Sequence, residues 1–308
     1  MPALWCSEPA RSSRYVPPLR RNGVRLSPSL HKLRSDERRV RVRIVRRVHP
    51  GVLMHDPRRA KPPSTRDIAA LTFIGEGFEV AQYQLHAVIF PSVSAVVVSH
   101  FVTRAVRNGW IVGERWNGVG INRLRLTADG RELVGRAGRD ERSLFVPKRA
   151  VASKDVPHTL WINDVRVALL RNGCCAFDVV LPAWQLQRRL SPAPAAIPDV
   201  LAIRNDSAGP PALVFACEVD LGGERLAGTF LPKLKTLDSL FLEWKGGADA
   251  QILVLTQGVR RAQAINNFAE ANELAIVAAC LPPVTGPSGL AAVREILEKV
   301  LTHAVNAN

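Results

Sequence analysis

The run Leu213-Val-Phe-Ala-Cys-Glu218-Val-Asp220 is apolar for five residues and then acidic at alternate positions. It reads as a buried strand that delivers carboxylates to a sheet edge. Upstream, Pro198-Asp199 opens a strand predicted over 199–203, and Asn205-Asp-Ser-Ala-Gly-Pro-Pro211 is a turn joining the two strands into a hairpin. Downstream, Glu224 follows in a turn. Lys233 and Lys235 then lie on a helix predicted over 230–244, with Pro232 tolerated in its first turn. Carboxylate oxygens are the hard ligands that Mg²⁺ takes, so Asp199 and Glu218 are candidate metal ligands. Together with Asp220 and Lys233 they are candidate catalytic residues: the metal would activate water, and the lysine would stabilise charge developing on a phosphate. Acids at strand ends are also commonly no more than solvated, and spacing alone does not choose between these readings.

Around this hairpin the pattern alternates. A helix over 163–171 turns Val165, Ala168 and Leu169 inward, and a strand over 176–181 follows it. After the lysine helix come a strand over 252–256, a helix over 260–272, a strand over 274–280 and an amphipathic helix over 289–303. The order describes an α/β body (α+β for the whole chain), a mixed sheet flanked by helices, over residues 156–308. A polar linker over 136–155, rich in Arg and Gly at its start, precedes it.

Residues 63–135 read as a winged helix-turn-helix. Ser64 or Thr65 caps a helix carrying Asp67, Ile68, Leu71 and Phe73, which Gly75 and Gly77 end. A second helix spans 81–90, and Pro91 stops it. Ser92 or Ser94 caps a third helix running to Asn108, with Gly109 as its C′ residue. On that helix Val98, Phe101, Val102 and Ala105 face the core, which turns Ser99, His100, Thr103, Arg104 and Arg107 outward. A hairpin over 110–126, turning at Asn117-Gly118, supplies Arg115, Asn122, Arg123 and Arg125. In such folds the third helix enters the major groove and the wing follows the backbone, so these nine residues and Ser94 are the candidate DNA contacts. Arg suits both guanine edges and phosphates, and the sequence does not divide the roles. A small helical dimerisation module is the competing reading, and a solvated surface histidine is the ordinary role for His100.

The chain has 308 residues with 42 Lys and Arg against 27 Asp and Glu, a net charge of +15. Residues 1–62 hold 16 of those bases and four of the acids, so +12 of the charge sits in a proline-rich leader that reads as disordered apart from one candidate strand over 38–48. The leader is either a basic arm for nucleic acid phosphates or lies upstream of a true start at Met54, the second of two methionines. A targeting peptide would need an apolar segment after the arginines, and none follows. The five cysteines form no CxxC pair, and adjacent Cys174 and Cys175 do not bridge readily, which excludes a disulfide scaffold. The longest nearly apolar stretch, 274–284, falls short of the ~20 residues that span a bilayer. No phosphate loop, HExxH or GxSxG occurs. The composition therefore describes a reduced, cytoplasmic, basic protein without a membrane segment. His158, near Trp161, reads as a packing or capping residue, and Cys217 as core.

The order Pro198-Asp199, Glu218-Val-Asp220, Lys233 resembles the restriction-endonuclease-like fold. More closely, the chain from about Thr65 onward resembles the replication-relaxation family of bacterial mobile-element proteins, which joins a winged helix to such a domain. Arg66-Asp67-Ile68, Leu126-Thr-Ala-Asp-Gly130, Ile162-Asn-Asp-Val-Arg-Val-Ala-Leu169 and Glu218-Val-Asp-Leu-Gly-Gly-Glu224 carry the likeness. There are departures. Asp220 stands where a nuclease has Lys, Gln187 where an acid is expected, and Leu237 where a tyrosine is expected. Leu221-Gly-Gly-Glu224 replaces Arg-Gly-Thr-Glu. The resemblance implies a plasmid or mobile-element protein that binds specific sites in double-stranded DNA for replication, mobilisation or its control, with a degenerate nuclease-like domain. The alternative it leaves is a metal-dependent endonuclease or nickase using Mg²⁺. Replication or mobilisation proteins and a second copy in a homodimer are the expected partners besides DNA.

Translation from Met1 predicts a tryptic peptide from residues 1–50 in mass spectra of natively expressed protein; if only peptides beyond Met54 are ever found, translation starts there.

Overall fold

The structure, a computed structural model, describes residues 62–116, 121–171, 177–190, 194–205, 211–244, 249–283 and 285–306. The leader with its 38–48 strand and Met54, the Asn117–Gly120 turn, Cys174 and Cys175, and the 206–210 loop lie outside the described residues. Residues 61–308 form one compact unit.

Helix α1 (Thr65–Glu76) starts in a capping box: Ser64 Oγ accepts the Asp67 N–H (3.2 Å) and Asp67 accepts the Ser64 N–H (2.8 Å). Strand β1 (Val80–Ala81), helix α2 (Gln82–Ile89) and helix α3 (Ala95–Arg107) follow. Gly109 leaves α3 at φ +73°, the left-handed value that favours glycine there. Strands β2 (Ile111–Trp116) and β3 (Ile121–Leu126) pair antiparallel, with β1 on the far side of β3, so β3 is the middle strand of three. Helix α4 (Ala128–Arg136) is capped by Thr127, whose hydroxyl accepts the Gly130 N–H at 3.0 Å. A β-carbon on Gly130 would collide with the Trp110 carbonyl, which explains glycine at this point of Leu126-Thr-Ala-Asp-Gly130. A 3₁₀ turn at Glu141–Ser143 leads toward the second half.

That half opens with α5 (Val156–Leu170), which starts seven residues before the helix expected from 163 because Pro157 and apolar Leu160 and Trp161 extend the helical period backward. Strand β4 (Val179–Pro182), a short helix α6 (Ala183–Arg189) that periodicity did not reveal, β5 (Val200–Asn205) and β6 (Pro211–Asp220) come next. A single wide π-type turn at Leu226–Phe230 runs into α7 (Leu231–Trp244). Strand β7 (Asp249–Thr256), α8 (Val259–Ala271), β8 (Ile276–Cys280) and α9 (Pro287–Asn306) end the chain. The sheet order is β4-β5-β6-β7-β8, antiparallel up to β6 and parallel beyond it. This is the expected α/β class with a mixed sheet. One face of the sheet packs on α5 and α9 through Phe215, Cys217 and Val219. The other packs on α7 and α8 through Val214, Ala216 and Val254.

The first face belongs to a core that continues into α1, α2 and α3, so the apolar interior is shared along the unit. Polar side chains of α5 lie at the seam. Asn163 Nδ2 donates to the Gly77 and Glu79 carbonyls (3.0 and 2.9 Å), and its Oδ1 accepts from Arg166 at 2.8 Å. Arg166 is 1% exposed, lies 5.4 Å from the Phe73 ring and pairs with Glu76 at 3.4 Å. Asp164 accepts from Tyr83 Oη (2.8 Å) and Gln84 Nε2 (2.7 Å), and burial pushes its carboxyl up to about 7. A β-carbon on Gly77 would meet Val80, Asn163 and Arg166 together. Replacing Asn163 by Ala strands two buried carbonyls and the Arg166 guanidinium, and is expected to cost about 2–4 kcal/mol of stability, read as a lower urea midpoint with unchanged slope. A loss below about 0.5 kcal/mol would mean water replaces the amide.

Candidate functional site

Two groups of side chains merit attention. The first is the outward face of α3 with the β2–β3 hairpin. The cap residue Ser94 and the helix residues Ser99, His100, Thr103, Arg104 and Arg107 are exposed, as are Arg115 and Asn122 on the hairpin. Gln82 ties helix to hairpin: its Nε2 donates to Ser99 Oγ (2.9 Å) and its Oε1 accepts from Asn122 Nδ2 (2.9 Å). Arg104 is committed to Asp67, an ion pair that holds it against the start of α1 beside a hollow of about 520 Å³ lined also by Arg66 and His100. Val96, Val97 and Val106 are exposed on the same helix, at 60, 41 and 43%.

Arg123 and Arg125 do not belong to this face, which corrects the expectation from sequence. They are 7 and 9% exposed and share Glu79 and Glu114: Arg123 reaches Glu79 at 3.1 Å and Glu114 at 3.4 Å, and Arg125 pairs with Glu114. The reason is β1. A two-stranded wing would leave one edge of β3 open, but β1 pairs along that edge and the preceding Glu79 lies against both guanidiniums. Burial raises Glu79 above the usual carboxylate range, against the pull of Arg123.

The second group lines a cleft of about 230 Å³ at the C-terminal end of β6. β5 starts just after Asp199, α7 carries Lys233 on its first turn, and α5 brings His158. Asp199 Oδ2 accepts the Val219 N–H at 2.8 Å and stands 3.3 Å from His158 Nε2, which also donates to the Val219 carbonyl at 2.9 Å. Lys233 pairs with Glu218 Oε1, while Glu218 Oε2 is buried with no hydrogen-bond partner. Burial first and Asp199 second push Glu218 up to about 8, against the opposing effect of Lys233. Burial would lower Lys233 and His158, but Glu218 raises the first and Asp199 the second above their ordinary values.

Asp199, Glu218 and Lys233 therefore come together as the sequence pattern anticipated, and Lys233 does so from the helix. Asp220 lines the same cleft, but its carboxylate is engaged by other groups. Its Oδ1 accepts the Gly222 N–H (2.8 Å), and its Oδ2 accepts from Thr256 Oγ1 (2.9 Å) and Arg261. A divalent cation fits this set poorly. The ammonium of Lys233 already neutralises Glu218, and Asp220 is held by Arg261. Among the described residues no three His, Cys, Asp or Glu side chains are grouped to hold a metal. His158 was invisible as a site residue, because a lone histidine forty-one residues before Asp199 carries no spacing signal.

The family described as replication-relaxation matches residues 64–246, more than half of the chain and both groups of side chains. The chain belongs to this family. Membership associates the replication-relaxation protein with the processes for which the family is named. No curated protein matches it. Among solved structures, protein VC1899 from Vibrio cholerae aligns at 13% identity and a TM-score of 0.29, over 79% of this chain and 58% of that one, a likeness too low to carry any argument. Among the described residues of the replication-relaxation chain, no helix is long and apolar enough to cross a membrane.

The pairing of Lys233 with Glu218 makes a pH-dependent prediction. In Lys233→Met the buried Glu218 loses its counter-charge, a cost present only when it is ionised. With Glu218 near 8, the variant should lose clearly more stability at pH 9 than at pH 6 in urea titrations. Asp164 also titrates near 7, but equally in both proteins, so it cancels from the difference. Equal losses at the two pH values would show that Glu218 stays neutral throughout.

Proposed function

We propose that this chain binds double-stranded DNA of a plasmid or mobile element and acts in its replication, mobilisation or the control of either. The observation that carries the reading is the exposed α3 face, with Thr103, Arg104 and Arg107 on one helix and Arg115 and Asn122 on the adjoining hairpin. In this reading residues 63–135 are a winged helix-turn-helix, with α3 in the major groove and the hairpin along the backbone. Ser99, His100 and Thr103 offer groups for base edges, Val96 and Val97 offer methyls for thymine, and Arg107 and Arg115 offer charge for phosphates. Ser94 caps α3 with its own side chain uncommitted, which suits a phosphate at the helix start. Residues 156–308, reached through the 136–155 segment, are then a restriction-endonuclease-like domain whose Lys233–Glu218 pair stands where a catalytic cation would. Homodimerisation on paired half-sites belongs to the same reading, as do a cytoplasmic location and replication or mobilisation proteins as partners.

The second reading, a Mg²⁺-dependent endonuclease or nickase, has one observation in its favour: the buried, unpartnered Glu218 Oε2 at a cleft that Asp199 also lines. Incubation with supercoiled plasmid in Mg²⁺ separates the two on one gel. The proposal expects retardation without nicking; metal-dependent nicking that Glu218→Gln abolishes would establish the enzyme instead. For the DNA face, Arg107→Ala with Arg115→Ala should weaken duplex binding by about 1–3 kcal/mol and lower the salt slope by roughly 1 per lost phosphate contact. Arg123→Ala or Arg125→Ala should instead unfold the hairpin region, seen as a lower melting temperature. Unchanged duplex binding in the first variant would remove α3 and the hairpin from the interface.

A further inference from the structure

A cleft of about 900 Å³ lies between α4, the 3₁₀ turn at 141–143 and α6, and shares no lining residue with either group above. Four arginines line it: Arg131 from α4, Arg142 from the turn, and Arg188 and Arg189 from α6. Two acids line it as well, and one of them offsets part of the charge of Arg131. Asp140 caps the turn by accepting the Arg142 N–H at 2.9 Å, and Glu141 lies 3.9 Å from Arg131. Among the described residues, Arg142, Arg188 and Arg189 take part in no salt bridge.

Arg188 is also held in place. Its guanidinium lies 5.3 Å from the Trp184 ring centroid and 5.8 Å from that of Phe145, two rings 5.5 Å apart. Stacking of this kind fixes the plane of a guanidinium without consuming its N–H donors. The walls are fixed to each other as well: Gln185 Nε2 donates to the Ser143 carbonyl (2.8 Å), and Trp184 Nε1 donates to the Glu76 carbonyl (3.0 Å). Four guanidiniums against two carboxylates leave an excess of positive charge on tied walls, which favours an anion in the space they enclose.

We propose that this cleft binds the phosphodiester backbone of single-stranded DNA, as a second nucleic-acid site separate from the α3 face. The volume falls in the range of about 300–1,000 Å³ that encloses small ligands, room for a few nucleotides of one strand. Several separated guanidiniums match successive phosphates better than one isolated phosphate. The open face of Arg188, backed by two aromatic rings, gives an unpaired base a flat cationic surface on which to stack. A duplex hides its base faces and offers nothing to that surface. The site stands independently of whether α3 reads a duplex.

The test uses the full 308-residue chain, so that the basic leader is common to every variant. Fluorescence anisotropy with a short labelled single strand of mixed sequence, and with the same sequence as a duplex, is followed across a salt series. Arg142 and Arg189 are exposed, so Arg142→Gln with Arg189→Gln should keep the fold, checked by thermal melting. That variant should bind the single strand about tenfold more weakly and flatten its salt slope by about 1.4, at about 0.7 per lost phosphate contact, while duplex affinity moves less than about twofold. Arg188→Lys keeps the charge and loses the planar stack; it should weaken single-strand binding about threefold with the slope unchanged. Unchanged single-strand affinity and slope in the double variant would overturn the proposal. So would an equal loss for the duplex, or displacement of the single strand by an acidic peptide as effectively as by unlabelled single strand. Arg107→Ala with Arg115→Ala affects only the duplex arm, so failure of the duplex reading is seen separately.

Discussion

The contacts of Asn163 with the carbonyls of Gly77 and Glu79 determine how the rest of the molecule is arranged. A buried side-chain amide is costly unless satisfied, and here its satisfaction requires segment 77–81 to run along α5. That segment contains Glu79 and leads into β1, so fixing it puts a carboxylate against Arg123 and a third strand beside β3. The hairpin's shape therefore depends on a helix more than thirty residues further along the chain. Tyr83 and Gln84 on α2 extend the same dependence to Asp164, and Arg166 extends it back to Glu76 at the end of α1. Three residues of one helix thus set the position of the surface that α3 presents.

A related logic governs the cleft at the end of β6. Three acids converge there, and each has its charge offset by a different device: Lys233 for Glu218, His158 and the Val219 amide for Asp199, Arg261 for Asp220. Fixed cations from α7 and α8 take up the charge that a mobile cation would otherwise neutralise. Asp220, one of the residues at which this chain departs from the nuclease pattern, sits within this compensation, held by Arg261.

Much of this could be read in advance where side-chain chemistry acts locally. The Ser64–Asp67 cap, Gly109 after α3, the β2–β3 pair and the carboxylate-ended strand each follow from neighbours within a few residues. The convergence of Asp199, Glu218 and Lys233 was legible because strand order and family likeness both pointed to it. What stayed hidden is long-range. Nothing near Arg123 or Arg125 signals that Glu79, more than forty residues earlier, will bury them. His158 has no local mark of its proximity to Asp199, and α6 is too short for a period to stand out. Asn163, Asp164 and Arg166 are fully buried, and the groups that satisfy them lie on α1, α2 and the segment between, far back along the chain.

The continuous interior shared by the two halves also bears on how such a protein can evolve. Modules joined by a tether can be exchanged by recombination, each carrying its own interior with it. Here a transplanted first half would leave Asn163, Asp164 and Arg166 facing a stranger's backbone, and a transplanted second half would strip the cover from Tyr83 and Gln84. Changes in the surface of α3 can accumulate freely, residue by residue. The joint behind it can change only by matched substitutions on both sides, so new surface properties are expected to arise in this lineage by drift of exposed side chains and not by shuffling of parts.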